Sequence, residues 1–221
     1  MQIKVNINIK GLKINKVIKY FIISDLMLLG GWGLIGPIFS IFIIEEIKGA
    51  TLITVGISAA IYWIVKSLIQ LPVAIYLDKT PSEKDDFYTL VLALVLAGIT
   101  AFGFMMVNTI WELYLVQFLH AIAFGLYIPS WSGIFSRHMD KNHYSFDWSL
   151  DSATIGLASG ITALIGGTFA NFFGFSAVFA IVGILSFISA MVLLSMPRLI
   201  LPLRKREEAI IGDHSPGNIN K

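Results

Sequence analysis

Six long apolar stretches, joined by short connections, constrain this chain more than any other feature of its sequence. They run roughly Val17–Ile44, Leu52–Leu77, Phe87–Val107, Ile110–Phe135, Leu150–Phe173 and Phe175–Met196. A helix needs ~20 apolar residues to cross the hydrocarbon core of a bilayer, and each stretch supplies about that many. Lipid offers the backbone no hydrogen-bond partners, so a spanning segment is either a helix or part of a closed barrel. Barrel strands alternate apolar and polar residues over ~10 positions, whereas these runs are continuous and longer. Charged residues make up only 14% of the chain against 56% hydrophobic, where a soluble domain carries about 25% charged residues. The sequence therefore predicts an all-α membrane protein with six transmembrane helices over 17–197, a polar arm over 1–16 and a polar tail over 198–221.

Charge placement predicts the orientation, because cytoplasmic loops collect Lys and Arg. One side of the six-span pattern holds 14 of them: Lys4, Lys10, Lys13, Lys16, Lys19, Lys79, Lys84, Arg137, Lys141, Arg198, Arg204, Lys205, Arg206 and Lys221. The other side holds Lys48 alone, and Lys66 falls inside a span. Both termini are expected in the cytoplasm, with the protein multi-pass in the plasma membrane. The N-terminal lysines precede an apolar run too long for a signal peptide. The alternation over residues 3–10 is strand-like but better suits a loosely ordered arm resting on the anionic inner leaflet, and the tail after Arg204 has the composition of a disordered segment. A net charge of +2 gives no footprint for nucleic acid, and the absence of cysteine excludes disulfides and thiol nucleophiles. Between the second and third spans, Thr80-Pro81-Ser82-Glu83 predicts a helix start with Thr80 as N-cap and Pro81 at the first helical position.

Ionisable and polar groups inside spans are costly, about 2.5–3.5 kcal/mol for a charge at mid-helix. Asp25, Lys66, Gln117 and His120 stand out. Asp25 lies ~9 Å and Lys66 ~16 Å in from the cytoplasmic side at the helical rise, and lysine can snorkel, so an Asp25–Lys66 pair between the first two spans is sterically reasonable. It would serve either as a gate or solute site or as a structural clamp. His120 is either a proton relay or a group hydrogen-bonded to a neighbouring helix, and Glu112, at the outer end of the fourth span, is expected to be solvated. Glycine and proline crowd the first span (Gly30, Gly31, Gly33, Gly36, Pro37), and Gly156, Gly160, Gly166 and Gly167 mark the fifth. Small residues let membrane helices approach closely. The first and fourth spans share an echo 92 residues apart, Gly33-Leu34-Ile35-Gly36-Pro37 and Gly125-Leu126-Tyr127-Ile128-Pro129. The same offset sets Asp25 against Gln117. The two spans run in opposite directions, as an inverted 3+3 repeat requires.

These residues resemble one half of a major facilitator superfamily transporter. The resemblance covers about residues 17–197. It is clearest in Gly160, Gly166-Gly167 and Phe173-Gly174-Phe175 followed by Val178-Phe179, where the family writes two glycines, a short apolar run and F-G-[FW]. The fourth span, Leu113 to Gly125, is similar, with Gln117 where the family often has Arg and Ala121 where it has Gly. Leu77-Asp78-Lys79 looks like the family's loop motif, with Ala74 replacing its leading Gly and Pro81-Ser82 replacing Gly-Arg. With Gln117 in place of that Arg, the resemblance does not by itself imply the familiar proton coupling.

The resemblance implies that the first and fourth spans line a pathway, that the second and fifth contact a second half, and that the third and sixth pack outside. Asp25, Trp32, Lys66, Gln117, His120 and Tyr127 would then stand near a substrate or ion pathway. Tyr62, Trp63 and Trp131 are further possible contacts. Asp78 and Lys79 would form a cytoplasmic gate, and Gly156, Gly160, Gly166 and Gly167 would pack helices that rock. The implied activity is transport of a small, neutral or amphipathic solute by a half-size member acting as a homodimer or with a second half-size chain. A non-transporting scaffold or assembly protein is the alternative. The sequence carries no catalytic constellation, so an enzyme is not expected, nor a cofactor or metal; His138 and His143 flank Asp140 in what reads as a solvated loop.

Overall fold

The computed structural model describes residues 15–80, 82–139 and 143–196. The expected arm and tail lie outside the described residues, apart from Asn15 and Lys16. Every element among those described is helical: α1 (Lys16–Ile35), a single 3₁₀ turn (Gly36–Ile38), α2 (Phe39–Glu46), α3 (Leu52–Lys79), α4 (Glu83–Met105), α5 (Ile110–His138) and α6 (Tyr144–Leu194). Five helical stretches are long and apolar enough to cross a membrane, with α1, the turn and α2 counted as one. The 3₁₀ turn falls on Gly36-Pro37, where proline removes a backbone donor and its ring disfavours a continuous α-helix.

The two last apolar stretches of the sequence lie together in α6. Its 51 residues would extend ~76 Å if straight, more than twice the ~30 Å hydrocarbon core. The backbone leaves helical geometry at Gly174 (φ 81°, ψ 164°), a region that is essentially open to glycine alone. Contacts with α1 and α2 give the directions of the two parts. Before Gly174, Gly30 meets Ala158 and Gly166 meets Leu34, so this part runs parallel to α1. After it, Ser24 pairs with Ser189, Gly31 meets Leu185 and Phe42 meets Phe175, so this part runs the other way.

Helix α1 packs chiefly on α6, α3 on α5, and α4 on both α5 and α6. The α4–α6 contact is reciprocal. A Cβ on Gly98 would lie 3.1 Å from the Phe187 ring, a Cβ on Gly183 would lie 2.6 Å from the Phe102 ring, and the two rings stack 6.0 Å apart. Of the four glycines singled out in the fifth apolar stretch, Gly166 is pressed on the Leu34 backbone and Gly167 makes an ordinary 3.9 Å approach to Ile38. Gly156 and Gly160 meet nothing within 4 Å; they lie on an open face.

Helix starts follow local chemistry. The N-cap of α4 is Ser82, which accepts from Lys84 N–H, and not Thr80 as the sequence suggested. The Thr80 hydroxyl is already engaged, donating to the Leu77 carbonyl at the end of α3; Pro81 lies outside the described residues. Glu112 is not merely solvated. Its carboxylate accepts from the backbone of Asn108 and Thr109, closing a capping box at the start of α5.

Candidate functional site

Helices α1 to α5 line an open cavity of about 500 Å³ in the half of the bundle nearest the connections at 47–51 and 106–109. Its walls are predominantly aromatic. Trp32 comes from α1, Phe39 from α2, Tyr62 and Trp63 from α3, Phe104 from α4, and His120 and Phe124 from α5. The His120 imidazole stacks on Tyr62, ring centroids 5.2 Å apart, and meets Trp32 in a tilted contact at 4.1 Å. The 3₁₀ turn at Gly36 and Pro37 falls beside the cavity, and Gly36 itself lines it.

Polar groups in this cavity are few. His120 Nδ1 and the Thr100 hydroxyl of α4 are 3.2 Å apart, which meets the expectation of a histidine bonded to a neighbouring helix. Gln117 is buried, and its amide oxygen has no partner; neither has the indole N–H of Trp32. Ser40 adds a hydroxyl. No Asp or Glu lines the cavity. Lys66 stands beside it, its ammonium 4.6 Å from the Trp63 ring and 5.4 Å from the Tyr62 ring. A cation over an aromatic face gains ~0.5–2 kcal/mol, less than a charge at mid-span costs.

The Asp25–Lys66 pair does not form. Asp25 is buried in the other half of the bundle and accepts a hydrogen bond from the Tyr127 hydroxyl. The reason is topological: α3 packs on α5, and α1 on α6, so Lys66 belongs to a different wall. Trp131 also leaves the cavity. It is buried with Phe21, Phe135 and Trp148, stacking on Phe135 at 4.5 Å. Of the six residues expected near a pathway, Trp32, Gln117 and His120 therefore line one cavity, Lys66 borders it, and Asp25 and Tyr127 form a separate buried pair.

Asp78 and Lys79 are exposed at the end of α3. Beside this end lies an ion cluster that the sequence reading missed. Arg137, near the end of α5, binds buried Asp86 at 2.7 Å and Glu83 at 3.3 Å, both in the first turn of α4. His138 Nε2 lies 3.7 Å from Glu83, so this histidine serves the cluster; Asp140 lies outside the described residues. Asn15, the N-cap of α1, donates to the His138 carbonyl. The available signal was the Glu83/Asp86 spacing, which sets two carboxylates on one helical face opposite a terminal arginine. Asp151, 4% exposed with one carboxylate oxygen unpartnered, was missed because it falls at the edge of an apolar stretch.

No curated protein matches the chain. The family model for the Major Facilitator Superfamily matches residues 21–215. That match takes in all the helices described above but the first turns of α1, and it points to a transporter of the major facilitator type. With its apolar helices, aromatic cavity and this match over most of its length, the chain belongs to the Major Facilitator Superfamily.

Proposed function

We propose that this bundle crosses the plasma membrane six times as an inverted 3+3 repeat, with both termini in the cytoplasm. In this reading it carries a small solute by working against a second such bundle, for which a second copy of this chain is the favoured partner. The observation that carries the reading is the aromatic cavity, bounded by α1 to α5 and rimmed by Trp63, which is 60% exposed. A pathway between two bundles needs such a one-sided hollow in each.

Two further features support the arrangement. The echo between Gly33 and Gly125 extends to their contacts. A Cβ on Gly33 would meet Ser159 and Thr162, and one on Gly125 would meet Lys66 and Ile69. Those two contacts exchange when the first three spans are swapped with the last three, as an inverted repeat demands. The outer surfaces are also unequal. Only 11% of the most apolar window of α3 is buried, against 39–50% in the other four candidate spans. With the open face at Gly156 and Gly160, α3 supplies the surface a second bundle would cover. Asp78, Lys79 and the Arg137 cluster would then gate the cytoplasmic end.

The test pairs assembly with flux. The protein in nanodiscs is weighed by native mass spectrometry and, in proteoliposomes, screened for counterflow of labelled solutes. A dimer, or a complex with a companion chain, that shows counterflow supports the proposal. A strict monomer that finds no companion and carries nothing overturns it in favour of a scaffold.

A further inference from the structure

We infer that the aromatic cavity takes a small aromatic monoanion, a one- or two-ring carboxylate, with Lys66 as its counter-ion. The inference rests on reading the cavity as the transport site and names what that site would recognise. The shape comes first. The rings of Trp32, Tyr62, Trp63, Phe104 and Phe124 offer flat apolar walls around about 500 Å³, a size typical of small-molecule sites. Flat walls favour a flat ligand, because offset and edge-to-face ring contacts add to the burial of area.

Charge then selects among flat ligands. No carboxylate lines the cavity, and the nearest buried acid of α1, Asp25, is committed to Tyr127 in the other half. A cationic ligand would find no counter-charge there. Lys66, in contrast, has no acidic partner among the described residues; its ammonium rests on Tyr62 and Trp63, two of the lining rings. A cation at this depth is stabilised by any anion that reaches it. The remaining polar groups are suited to the same ligand. The Trp32 indole N–H is an unpaired buried donor on the cavity wall; Gln117, from α5, lines the same cavity with an amide oxygen that has no partner. A buried donor and one cation, with no acid lining the cavity, describe a site for a carboxylate.

A fatty acid from the bilayer shares the carboxylate but not the flat body, so the experiment separates the two sources. The protein in phosphatidylcholine nanodiscs is dialysed to equilibrium against labelled 2-naphthoate, 2-naphthalenemethanol, 2-naphthylmethylammonium and decanoate, with empty nanodiscs subtracted. Naphthoate should bind about tenfold more tightly than the alcohol, the ammonium should not bind, and decanoate should bind several-fold more weakly than naphthoate. Lys66→Met should bring naphthoate down to the level of the alcohol, while Lys66→Arg, which keeps the charge, should stay within about threefold of the native protein. Equal binding of acid and alcohol, or a preference that survives Lys66→Met, overturns the inference. Decanoate binding as tightly as naphthoate overturns the aromatic class and assigns the site to a lipid-derived acid. Naphthoate bound as expected without counterflow leaves the site and removes the transport reading; counterflow of neutral solutes with no preference for the acid does the reverse.

Discussion

Gly166→Ala probes how α6 lies against α1. A Cβ built on Gly166 falls 2.7 Å from the Leu34 carbonyl carbon and 2.9 Å from its Cα, with the carbonyl oxygen nearer still. Carbon atoms in ordinary contact are ~3.5–4.0 Å apart, so the helices must separate by roughly 1 Å. The obstructing atoms are backbone and cannot rotate away. The separation also loosens Gly33 against Ser159, where the built Cβ is 3.0 Å from the facing Cα. Overpacking of this kind costs about 1–3 kcal/mol, and alanine's higher helix propensity offsets about 1 kcal/mol. The expected net loss is about 0–2 kcal/mol. Gly156→Ala and Gly160→Ala serve as controls, since nothing lies within 4 Å of either built Cβ. The same substitution there should be neutral or stabilising by up to about 1 kcal/mol. Graded SDS unfolding of monomeric protein in mixed micelles, followed by circular dichroism, measures the differences. If Gly166→Ala is tolerated as well as Gly160→Ala, the parallel packing of α6 on α1 is wrong.

Other expectations follow from the same contacts. Tyr127→Phe strips buried Asp25 of its hydroxyl donor and should cost about 1–3 kcal/mol; a cycle with Asp25→Leu should show coupling of about 1–2 kcal/mol, and strict additivity would mean the hydrogen bond contributes nothing. Arg137→Gln leaves Asp86 buried and unpaired, but Arg137 is itself 38% exposed, so the cost should be about 2 kcal/mol, below the 3–5 of a fully buried pair. Asp86→Asn added to that variant should recover part of the loss in thermal unfolding. Gly174→Ala forces a side chain onto φ 81°, ψ 164° and should cost about 1–3 kcal/mol. The chain has no cysteine, so single cysteines at exposed positions report topology without background. Asn171→Cys and Asn108→Cys should label from one side of a vesicle, and Ser195→Cys and Lys79→Cys from the other; Ser195→Cys and Lys79→Cys on opposite sides would rule out six crossings.

Much of the architecture was legible because hydrophobic length is a one-dimensional property. The ends of α3 and α5 fall within three residues of their apolar stretches, since the polar residues that end a span are local. The turn at Gly174 was also legible as the seam between two stretches. The pairing of Asp25 was not. In a soluble helix an apolar stripe tells which face packs. A membrane helix is apolar all round, because lipid and a neighbouring helix are equally apolar. Depth along the span placed Asp25 and Lys66 at compatible heights, but depth carries no information about which helix stands beside which.

The sequence by itself determined the membrane class, the helices, their turns, the family resemblance and the residues that are costly in lipid. The resemblance rests on motif residues; the others follow from composition and spacing along the chain. Only the tertiary structure decided that α3 packs on α5 and α1 on α6. That choice gave Asp25 to Tyr127, left Lys66 beside an aromatic cavity, and drew Arg137 to Asp86. The physical reason is that burial in lipid selects segments, whereas neighbours are selected by small residues and polar groups whose partners lie far away in the chain.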